Sequence, residues 1–204
     1  MAEVAIAMMR GRYEQAESVQ RAMMAQLPSD GDAETATLRR GLATILRFQG
    51  RLAEAETEAR AALVGMQKRF GVNSVNTATA LLALASILSD QGRNVEAETL
   101  ARKGLELVRA AKRRGVKVTC GITPAHLLLS DIAMTDFRTF AHLSPALRTE
   151  SDRQACLAAL ADGTIDVLAS GHDPRGPEEK RLPFADSTPG MSGAETLLAL
   201  GLEI

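Results

Sequence analysis

The sequence lacks tryptophan and contains only one tyrosine and five phenylalanines among its 204 residues. Large aromatic rings normally supply much of the apolar surface that a core buries. With so few of them, the core has to be built from alanine, leucine, isoleucine, valine and methionine side chains. Such a composition favours closely packed helices.

Neither sign of charge predominates, because 24 basic residues stand against 25 acidic ones and the net charge is −1. A balanced chain has no electrostatic field that would draw it to nucleic acid or to an anionic membrane. Its apolar stretches fall short of the roughly 18 residues that cross a bilayer, and its opening residues lack the basic and apolar segments of a signal peptide. We therefore expect no nucleic-acid or membrane partner, and a cytoplasmic location.

Cysteine is also scarce, since the chain has only Cys120 and Cys156. Two cysteines do not make a disulfide framework, and the simplest interpretation is a pair of buried thiols in a reducing compartment. Cys120 falls on a predicted strand, where it would serve as a small core residue. The alternative role of nucleophile finds no general base in the sequence that could activate the thiol.

The first half of the sequence contains an internal repeat. The segments GRYEQAES at 11–18, GRLAEAET at 50–57 and GRNVEAET at 92–99 align without gaps, at spacings of 39 and 42 residues. Apolar residues recur at three- and four-residue steps before the second and third segments, which places them on one helical face: Leu42, Ala43, Ile45 and Leu46, then Leu81, Leu84, Ala85, Ile87 and Leu88. The unit is therefore predicted to be a helix, a tight turn and a second helix.

Small residues occupy the two places where that hairpin needs them. Each repeated glycine can take the positive φ that ends a helix and reverses the chain. The alanines at 16, 55 and 97 fall where the two helices must approach closely.

These repeats resemble the tetratricopeptide family, in particular its longer repeats of the kinesin-light-chain type. Further matches are the run GVNSVNTATAL at 71–81 and the small residues Ala43 and Ala85, whereas Ala59 and Ala101 stand where the family commonly has a large aromatic. The first unit also begins part-way through its first helix. The resemblance implies a TPR-like hairpin array over residues 1–112, with a concave groove that binds a protein partner. The alternative is that the helices only support one another.

The pattern changes after Lys112. Residues 116–122 and 165–169 are predicted strands, with helices starting at Thr123-Pro124, over 150–161 and from Gly193 to the chain end. Alternating strands and helices indicate parallel α/β organisation, with the two strands paired and room for a further short strand near 138–143. One continuous helix is expected across the join at 110–114.

Five segments of this half resemble, in order and spacing, the C-terminal part of a class I dihydroorotase, a cyclic amidohydrolase: VTCGITPAHLLL at 118–129, LSPALRTESDR at 143–153, DGTIDVLASGHDP at 162–174, GPEEKRLPF at 176–184 and PGMSGAETLL at 189–198. That family folds as a (β/α)₈ barrel. The resemblance therefore implies that residues 113–204 form a partial (β/α) barrel segment, corresponding to about its sixth to eighth strands. The predicted fold class is an α domain of helical hairpins followed by this α/β segment.

The resembled family works at a zinc centre, and its ligands are mostly missing here. Its His-x-His and middle-strand ligands belong to strands that have no counterpart, and residues 1–112 contain no histidine. Gly171, before His172, stands where the family has an Asp that binds metal and carries a proton. Ala125, before His126, replaces a histidine. We expect no catalytic or metal site in this chain, zinc only if a partner supplies ligands, and structural roles for His126, His142 and His172.

The family's substrate-binding positions fall by the same resemblance at Ser144, where the family has Asn, at Arg175, where it has His, and at the backbone of Pro189 and Gly190. A guanidinium can hold a carboxylate through two hydrogen bonds. The alternative for Arg175 is a solvated side chain, because the loop around it is highly charged.

The two resemblances together predict a non-catalytic interaction scaffold that carries a degenerate dihydroorotase-like segment. Degenerate members of that family stabilise aspartate transcarbamoylase, so that enzyme or a dihydroorotase is the partner that the resemblance implies. Two alternatives stay open. One is a dihydroorotase-type amidohydrolase of pyrimidine biosynthesis whose zinc site another chain completes. The other is a remnant without activity of its own.

Overall fold

The computed structural model describes residues 2–27 and 33–204. The predicted repeat array also includes Met1 and residues 28–32, which lie outside the described residues. The chain divides into two compact units, one ending at Val118 and the other running from Thr119 to Ile204. Within the described ranges no helix has the length and apolar character needed to cross a membrane.

The first unit is an array of helical hairpins, as the repeats predict. Its described part contains six helices: α1 (Ala2–Met9), α2 (Tyr13–Ala25), α3 (Ala33–Phe48), α4 (Leu52–Phe70), α5 (Val75–Asp90) and α6 (Asn94–Arg113). Consecutive helices pack as the pairs α1–α2, α3–α4 and α5–α6, and α2 and α4 also pack against the hairpins that follow them.

The three hairpin turns share one geometry. Gly11, Gly50 and Gly92 have φ angles of 67°, 75° and 77°, in the region that glycine enters without the strain of a Cβ. The N–H of the arginine that follows each glycine donates to the carbonyl five residues earlier, at 2.9 Å in all three turns. This is the hydrogen bond that closes a helix ending in a left-handed glycine, so the turn prediction is confirmed.

The apolar faces predicted from the three- and four-residue steps are buried. One core cluster joins the second and third hairpins: Leu42, Ala43, Leu46, Ala55, Ala59, Leu84, Ile87, Leu88 and Ala97. Ala16, Ala55 and Ala97, the repeated alanines, are all buried, which confirms the predicted close approach of the helices. Burial of each leucine contributes about 1.5–3 kcal/mol, so aliphatic packing makes a large favourable contribution to the stability of this unit.

The helix predicted to cross the join continues only as far as Arg113. There α6 ends, and Gly115 follows with a φ of 74°. The helix thus covers most of the predicted join but does not enter the second unit.

The second unit contains short elements connected by long irregular segments. Its helices are α7 (Pro124–Leu128), α8 (Glu150–Ala161), α9 (Pro177–Lys180) and α10 (Leu197–Gly201), with 3₁₀ turns at Asp131–Phe137 and Thr139–Ala141. Two strands, β1 (Gly121–Ile122) and β2 (Val167–Leu168), pair in parallel, with Gly121 opposite Val167 and Ile122 opposite Leu168. The helix predicted over 150–161 and the parallel pairing of the two strands are confirmed.

The predicted partial (β/α) barrel is wrong. The described chain has a single two-stranded sheet with two residues in each strand, and a 3₁₀ turn replaces the strand expected near 138–143. A strand needs neighbours that satisfy its N–H and C=O groups, and the β-branched run from Val116 has a partner only at its end. Just before β1, the N–H of Cys120 donates instead to the carboxylate of Asp166, at 2.8 Å.

Candidate functional site

A cavity of ≈ 250 Å³ lies in the second unit, where the chain leaves the carboxyl ends of β1 and β2. Thr123 and His126 line it from the segment after β1, and Ser170 and Gly171 line it from the segment after β2. Side chains that follow neighbouring parallel strands meet at the same edge of a sheet. The short strand pair therefore positions the lining of this cavity.

The residues singled out by the dihydroorotase resemblance lie in or next to this cavity. Ser144, Gly171 and Gly190 line it, and Ser144 precedes a cis peptide bond to Pro145. Arg175 and Pro189 are not among the lining residues, but they are joined to each other, because Arg175 Nε donates to the Pro189 carbonyl at 3.0 Å.

The side chain of Arg175 makes hydrogen bonds to its own loop and to the neighbouring segment. Its Nη2 also contacts the carboxylate of Asp173, a lining residue, at 2.8 Å. Gly190, which follows Pro189, is held by a separate hydrogen bond, since its N–H donates to the carbonyl of His142 at 2.9 Å. The loops around 175 and 190 are thus held by specific hydrogen bonds.

His126 has both ring nitrogens occupied by protein atoms. Nδ1 lies 2.7 Å from the hydroxyl of Thr123, and Nε2 lies 3.0 Å from the carbonyl of Pro145. A carbonyl only accepts, so Nε2 carries the proton and Nδ1 accepts from the Thr123 hydroxyl. The same hydroxyl caps the amino end of α7, which leaves Thr123 little freedom to move.

The other two histidines are also held by the fold. His172 Nδ1 accepts from the N–H groups of Gly193 and Ala194, at 3.3 and 3.1 Å, and so joins the segment after β2 to the one before α10. His142 Nδ1 lies 2.8 Å from the Ser187 hydroxyl, and its ring stacks on Phe184. Burial, reinforced by the charge of Lys180, lowers the pKa of His142.

Gly171, where the resembled family has its metal-binding Asp, has no room for a side chain. Its φ is +57°, and a Cβ built on it would lie 2.6 Å from Cγ2 of Thr123. Zinc requires three or four converging N, O or S ligands. In the part of the chain that the structure describes, no group of three or more His, Cys, Asp or Glu residues could hold a metal ion. The described residues therefore do not fit zinc.

Lys180 is a feature of this region that sequence reasoning missed. It lies in the charged segment 178–181 but is only 4% exposed. Its Nζ donates to the carbonyls of Thr139 and His142, at 2.9 and 3.3 Å. Burial, together with the charge of Arg175, lowers its pKa. No local pattern distinguishes it from its exposed neighbours, because only the tertiary fold brings the two carbonyls to it.

The first unit has a polar junction between consecutive hairpins, built twice from equivalent residues. Glu17 accepts from Gln49 Nε2 at 3.0 Å and from Arg51 Nη1 at 2.7 Å. In the next hairpin Glu56 accepts from Gln91 Nε2 at 3.0 Å and from Arg93 Nη1 at 2.8 Å.

The second of these junctions lowers the pKa of its central carboxylate, that of Glu56. The hydrogen bond from Gln91, followed by those from Arg60 and Arg93, lowers the pKa of Glu56 from 4.5 to about 2. The repeat segment therefore encodes, besides its apolar face, a specific register between neighbours.

Comparison with known proteins gives matches of two kinds. The family described as tetratricopeptide repeat matches residues 34–110. Such repeats generally mediate protein–protein binding.

The chain is also similar to curated dihydroorotases over about half of its length. It is 47% identical to the dihydroorotase of Anaplasma phagocytophilum over 102 residues, which are 50% of this chain and 23% of that protein. It is 46% identical to the dihydroorotase of Acetivibrio thermocellus over 98 residues, 48% of this chain and 23% of that protein. A dihydroorotase-like protein of Pseudomonas aeruginosa is 41% identical over 102 residues, 50% of this chain and 24% of that protein. The chain thus spans about a quarter of the length of these relatives.

Proposed function

We propose that this protein is a non-catalytic interaction scaffold, in which helical repeats over residues 1–112 bind a protein partner and residues 113–204 form a degenerate dihydroorotase-like domain. The match of residues 34–110 to the tetratricopeptide family supports the first part. The 42-residue spacing of Gly50 and Gly92, longer than the usual 34 or so, supports repeats of the kinesin-light-chain type.

The geometry at Gly171 carries the proposal that the second part is non-catalytic. The Cβ of an Asp at this position would lie 2.6 Å from Thr123 Cγ2, closer than two carbon atoms approach without one of them moving. Thr123 cannot turn aside without cost, because its hydroxyl holds His126 and caps α7. Both the absence of a carboxylate at position 171 and the crowding of that position by Thr123 therefore support a non-catalytic second part.

An assay of the purified full chain tests this directly. Interconversion of carbamoyl-aspartate and dihydroorotate is measured with and without added zinc salt, and we expect no turnover in either condition. Zinc-dependent turnover by the chain alone would overturn the proposal.

Two variants test the structural reason. Gly171→Asp should remain inactive and lose about 1–3 kcal/mol of stability, the usual cost of overpacking. The double variant Gly171→Asp/Thr123→Ser keeps the capping hydroxyl and removes the methyl group, so it should recover part of that loss. Equal stability of wild type and Gly171→Asp would contradict the crowding argument.

The cavity supports a second candidate, in which this chain contributes a substrate pocket to an amidohydrolase that another chain completes. Ser144 and Gly190 line the cavity, and Arg175 fixes the Pro189 carbonyl beside it. We propose these four residues as the substrate-side positions for an acidic ring or its open form. The Ser144 hydroxyl would be a direct contact, and the backbone at 189–190 would contact the substrate once the bonds of Pro189 to Arg175 and of Gly190 to His142 open.

Calorimetric titration with carbamoyl-aspartate separates the two candidates. Binding that Arg175→Ala weakens and Arg181→Ala leaves unchanged would favour the pocket, because Arg181 is an exposed neighbour with the same charge. Lack of binding at millimolar concentration would remove this second candidate and leave the scaffold.

For the partner, we propose aspartate transcarbamoylase or a complete dihydroorotase. Size-exclusion chromatography of the purified chain mixed with each enzyme should show co-elution with one of them. Co-elution with neither enzyme would overturn this part of the proposal.

A further inference from the structure

Both polar junctions of the repeat unit use the same three groups of the later hairpin, which together form its donor face. They are an isoleucine five residues before the turn glycine and the glutamine and arginine on either side of that glycine: Ile45, Gln49 and Arg51 in the second hairpin, and Ile87, Gln91 and Arg93 in the third. The glutamine and the arginine donate to one glutamate of the preceding hairpin, Glu17 or Glu56. Each donor face therefore receives a helix that presents a carboxylate.

The isoleucine of each donor face packs where the incoming helix carries a small residue. Ile45 and Ile87 are both only 1% exposed. Ile45 belongs to the same apolar cluster as Ala16, and Ile87 to the same cluster as Ala55. These alanines stand directly before the two glutamates of the junctions. A helix that carries an Ala-Glu pair is therefore what a donor face of this protein binds.

The first hairpin carries an equivalent donor face that is exposed and more basic. Ile6 stands five residues before Gly11 and is 47% exposed. Arg10 takes the place of the glutamine, and Arg12 is the arginine after the glycine; both side chains are exposed. Among the described residues, neither guanidinium has a bonded acceptor. This face therefore presents two positive charges beside an accessible aliphatic side chain.

The first hairpin also lacks a carboxylate that the other two supply from their own sequence. In the later hairpins the arginine of the donor face bonds the glutamate three residues further on: Arg51 with Glu54 and Arg93 with Glu96. The residue three positions after Arg12 is Gln15. Arg12 thus has neither of the two carboxylates that its equivalents hold, and Arg10 adds a second unsatisfied charge. The surface complementary to this face is acidic.

We infer that the donor face of the first hairpin (Ile6, Arg10 and Arg12) binds an acidic amphipathic helix of a protein partner, one that carries an Ala-Glu pair and further carboxylates. The alanine packs on Ile6, and the glutamate accepts hydrogen bonds from the guanidinium groups, which hold carboxylates well. Two arginines in place of a glutamine and an arginine select a more acidic helix than either internal junction does. The inference rests on the proposed role of the repeats in protein binding and names the surface and the chemistry of one partner.

A peptide with the sequence of residues 52–66 is the probe, because it carries the Ala55-Glu56 pair and has three glutamates against one arginine. A short isolated helix is marginal in water, so a covalent staple joins positions 53 and 57, which are exposed in α4. The labelled peptide is titrated with the full chain and followed by fluorescence anisotropy. We expect saturable binding that weakens as salt is added, because salt screens exposed charges.

Charge reversal on the protein should weaken this binding. Arg12→Glu should lower the affinity by about tenfold or more, because a like charge then faces the glutamate of the peptide. Ile6→Ser should also weaken binding, since it removes the aliphatic contact without changing charge. Arg113→Glu reverses another exposed arginine, at the end of α6, and is the matched control that should leave the affinity unchanged. Circular dichroism verifies that each variant keeps its helices.

A charge swap makes the test specific. A peptide with Glu56→Arg should bind the wild-type chain weakly and the Arg12→Glu chain more tightly. Equal binding by a scrambled peptide of the same composition, or equal affinity of wild type and Arg12→Glu, would overturn the inference. Self-association of the chain alone that Arg12→Glu abolishes would assign the face to a second copy and also overturn it. Failure of the peptide to bind would overturn this inference and leave the co-elution test of the proposed function unaffected.

Discussion

The two units of this protein are stabilised in different ways. In the repeat unit each arrangement recurs: the same glycine turn closes all three hairpins, and the same glutamate junction joins them twice. In the second unit each important contact occurs once, such as Lys180 on two carbonyls or His172 on two N–H groups. A repeated unit distributes its stability over equivalent interfaces, whereas the second unit depends on particular polar side chains.

The sequence supplies separate probes for the two units. Its one tyrosine, Tyr13, lies in the repeat unit, and both cysteines lie in the second unit. Burial, with Asp152 nearby, raises the pKa of the Cys156 thiol, so this thiol should react slowly until its surroundings open. Tyrosine fluorescence and thiol reactivity therefore follow the two units in the same sample.

The largest effect is expected from Leu46→Ala in the repeat core. Leu46 is fully buried in the cluster shared by the second and third hairpins, and truncation of such a leucine costs about 2–5 kcal/mol. Urea unfolding followed by Tyr13 fluorescence measures the loss. Leu82→Ala, at a site that is 39% exposed, is the control and should cost much less. Urea unfolding is followed in the same samples by the reactivity of the cysteines. If the midpoint from thiol reactivity falls as far as the midpoint from Tyr13 fluorescence, the two units unfold together, which would contradict the contrast between them.

An intermediate effect is expected from Lys180→Met. The substitution leaves the carbonyls of Thr139 and His142 without their donor, and a buried group that loses its partner costs about 1–3 kcal/mol. Cys120 and Cys156 should then react faster with a thiol reagent, while Tyr13 fluorescence keeps its unfolding midpoint. Arg181→Met changes the same charge at an exposed neighbour and should leave thiol reactivity as it is. Equal reactivity in both variants would show that Lys180 is not needed to hold its unit.

The smallest effect is expected at the polar junction, from Glu56→Gln, which should cost about 0.5 kcal/mol because partly exposed ion pairs contribute little. The pKa of Glu56 falls from 4.5 to about 2 on folding, a shift that overstates the stabilisation because solvent screens this partly exposed group. The contribution is complete above pH 4.5 and is lost as the pH falls through about 2. Wild type and variant should therefore differ near neutral pH and converge in acid, as measured by urea unfolding at several pH values. Glu98→Gln replaces the equivalent glutamate of the third hairpin, which bonds Arg102 of its own helix, and should cost less than Glu56→Gln near neutral pH.

The sequence predicted the repeat unit well because its structure is encoded locally. The three- and four-residue steps around Leu42 and Leu84 and the glycines at 50 and 92 define helices whose hydrogen bonds lie within each segment. The sequence alignment alone also identified Gly11 as a turn glycine equivalent to the other two. The glutamate junction was not predicted, although the repeated Gln-Gly-Arg at 49–51 and 91–93 contained the signal.

The second unit was predicted less well because its strands depend on distant partners. The run from Val116 to Ile122 has strand composition, but only Gly121 and Ile122 find a partner, and the rest stays irregular. The residues taken from the dihydroorotase resemblance could be named from the sequence. The burial of Lys180 and the crowding of Gly171 by Thr123 could not, because both arise from segments that are remote or that approach only in the folded chain.

Because the turns at Gly50 and Gly92 have the same geometry, the segment from Gly50 to Gln91 is one complete repeat that could be duplicated to lengthen the protein. It begins and ends at the same point of the repeat, so a tandem duplication would place a second copy of Gly50 directly after Gln91. Glu56 of the first copy would then meet Gln91 and the new Arg51, the same pair of residue types that it binds now. An elongated array of four hairpins could therefore be made without designing a new interface.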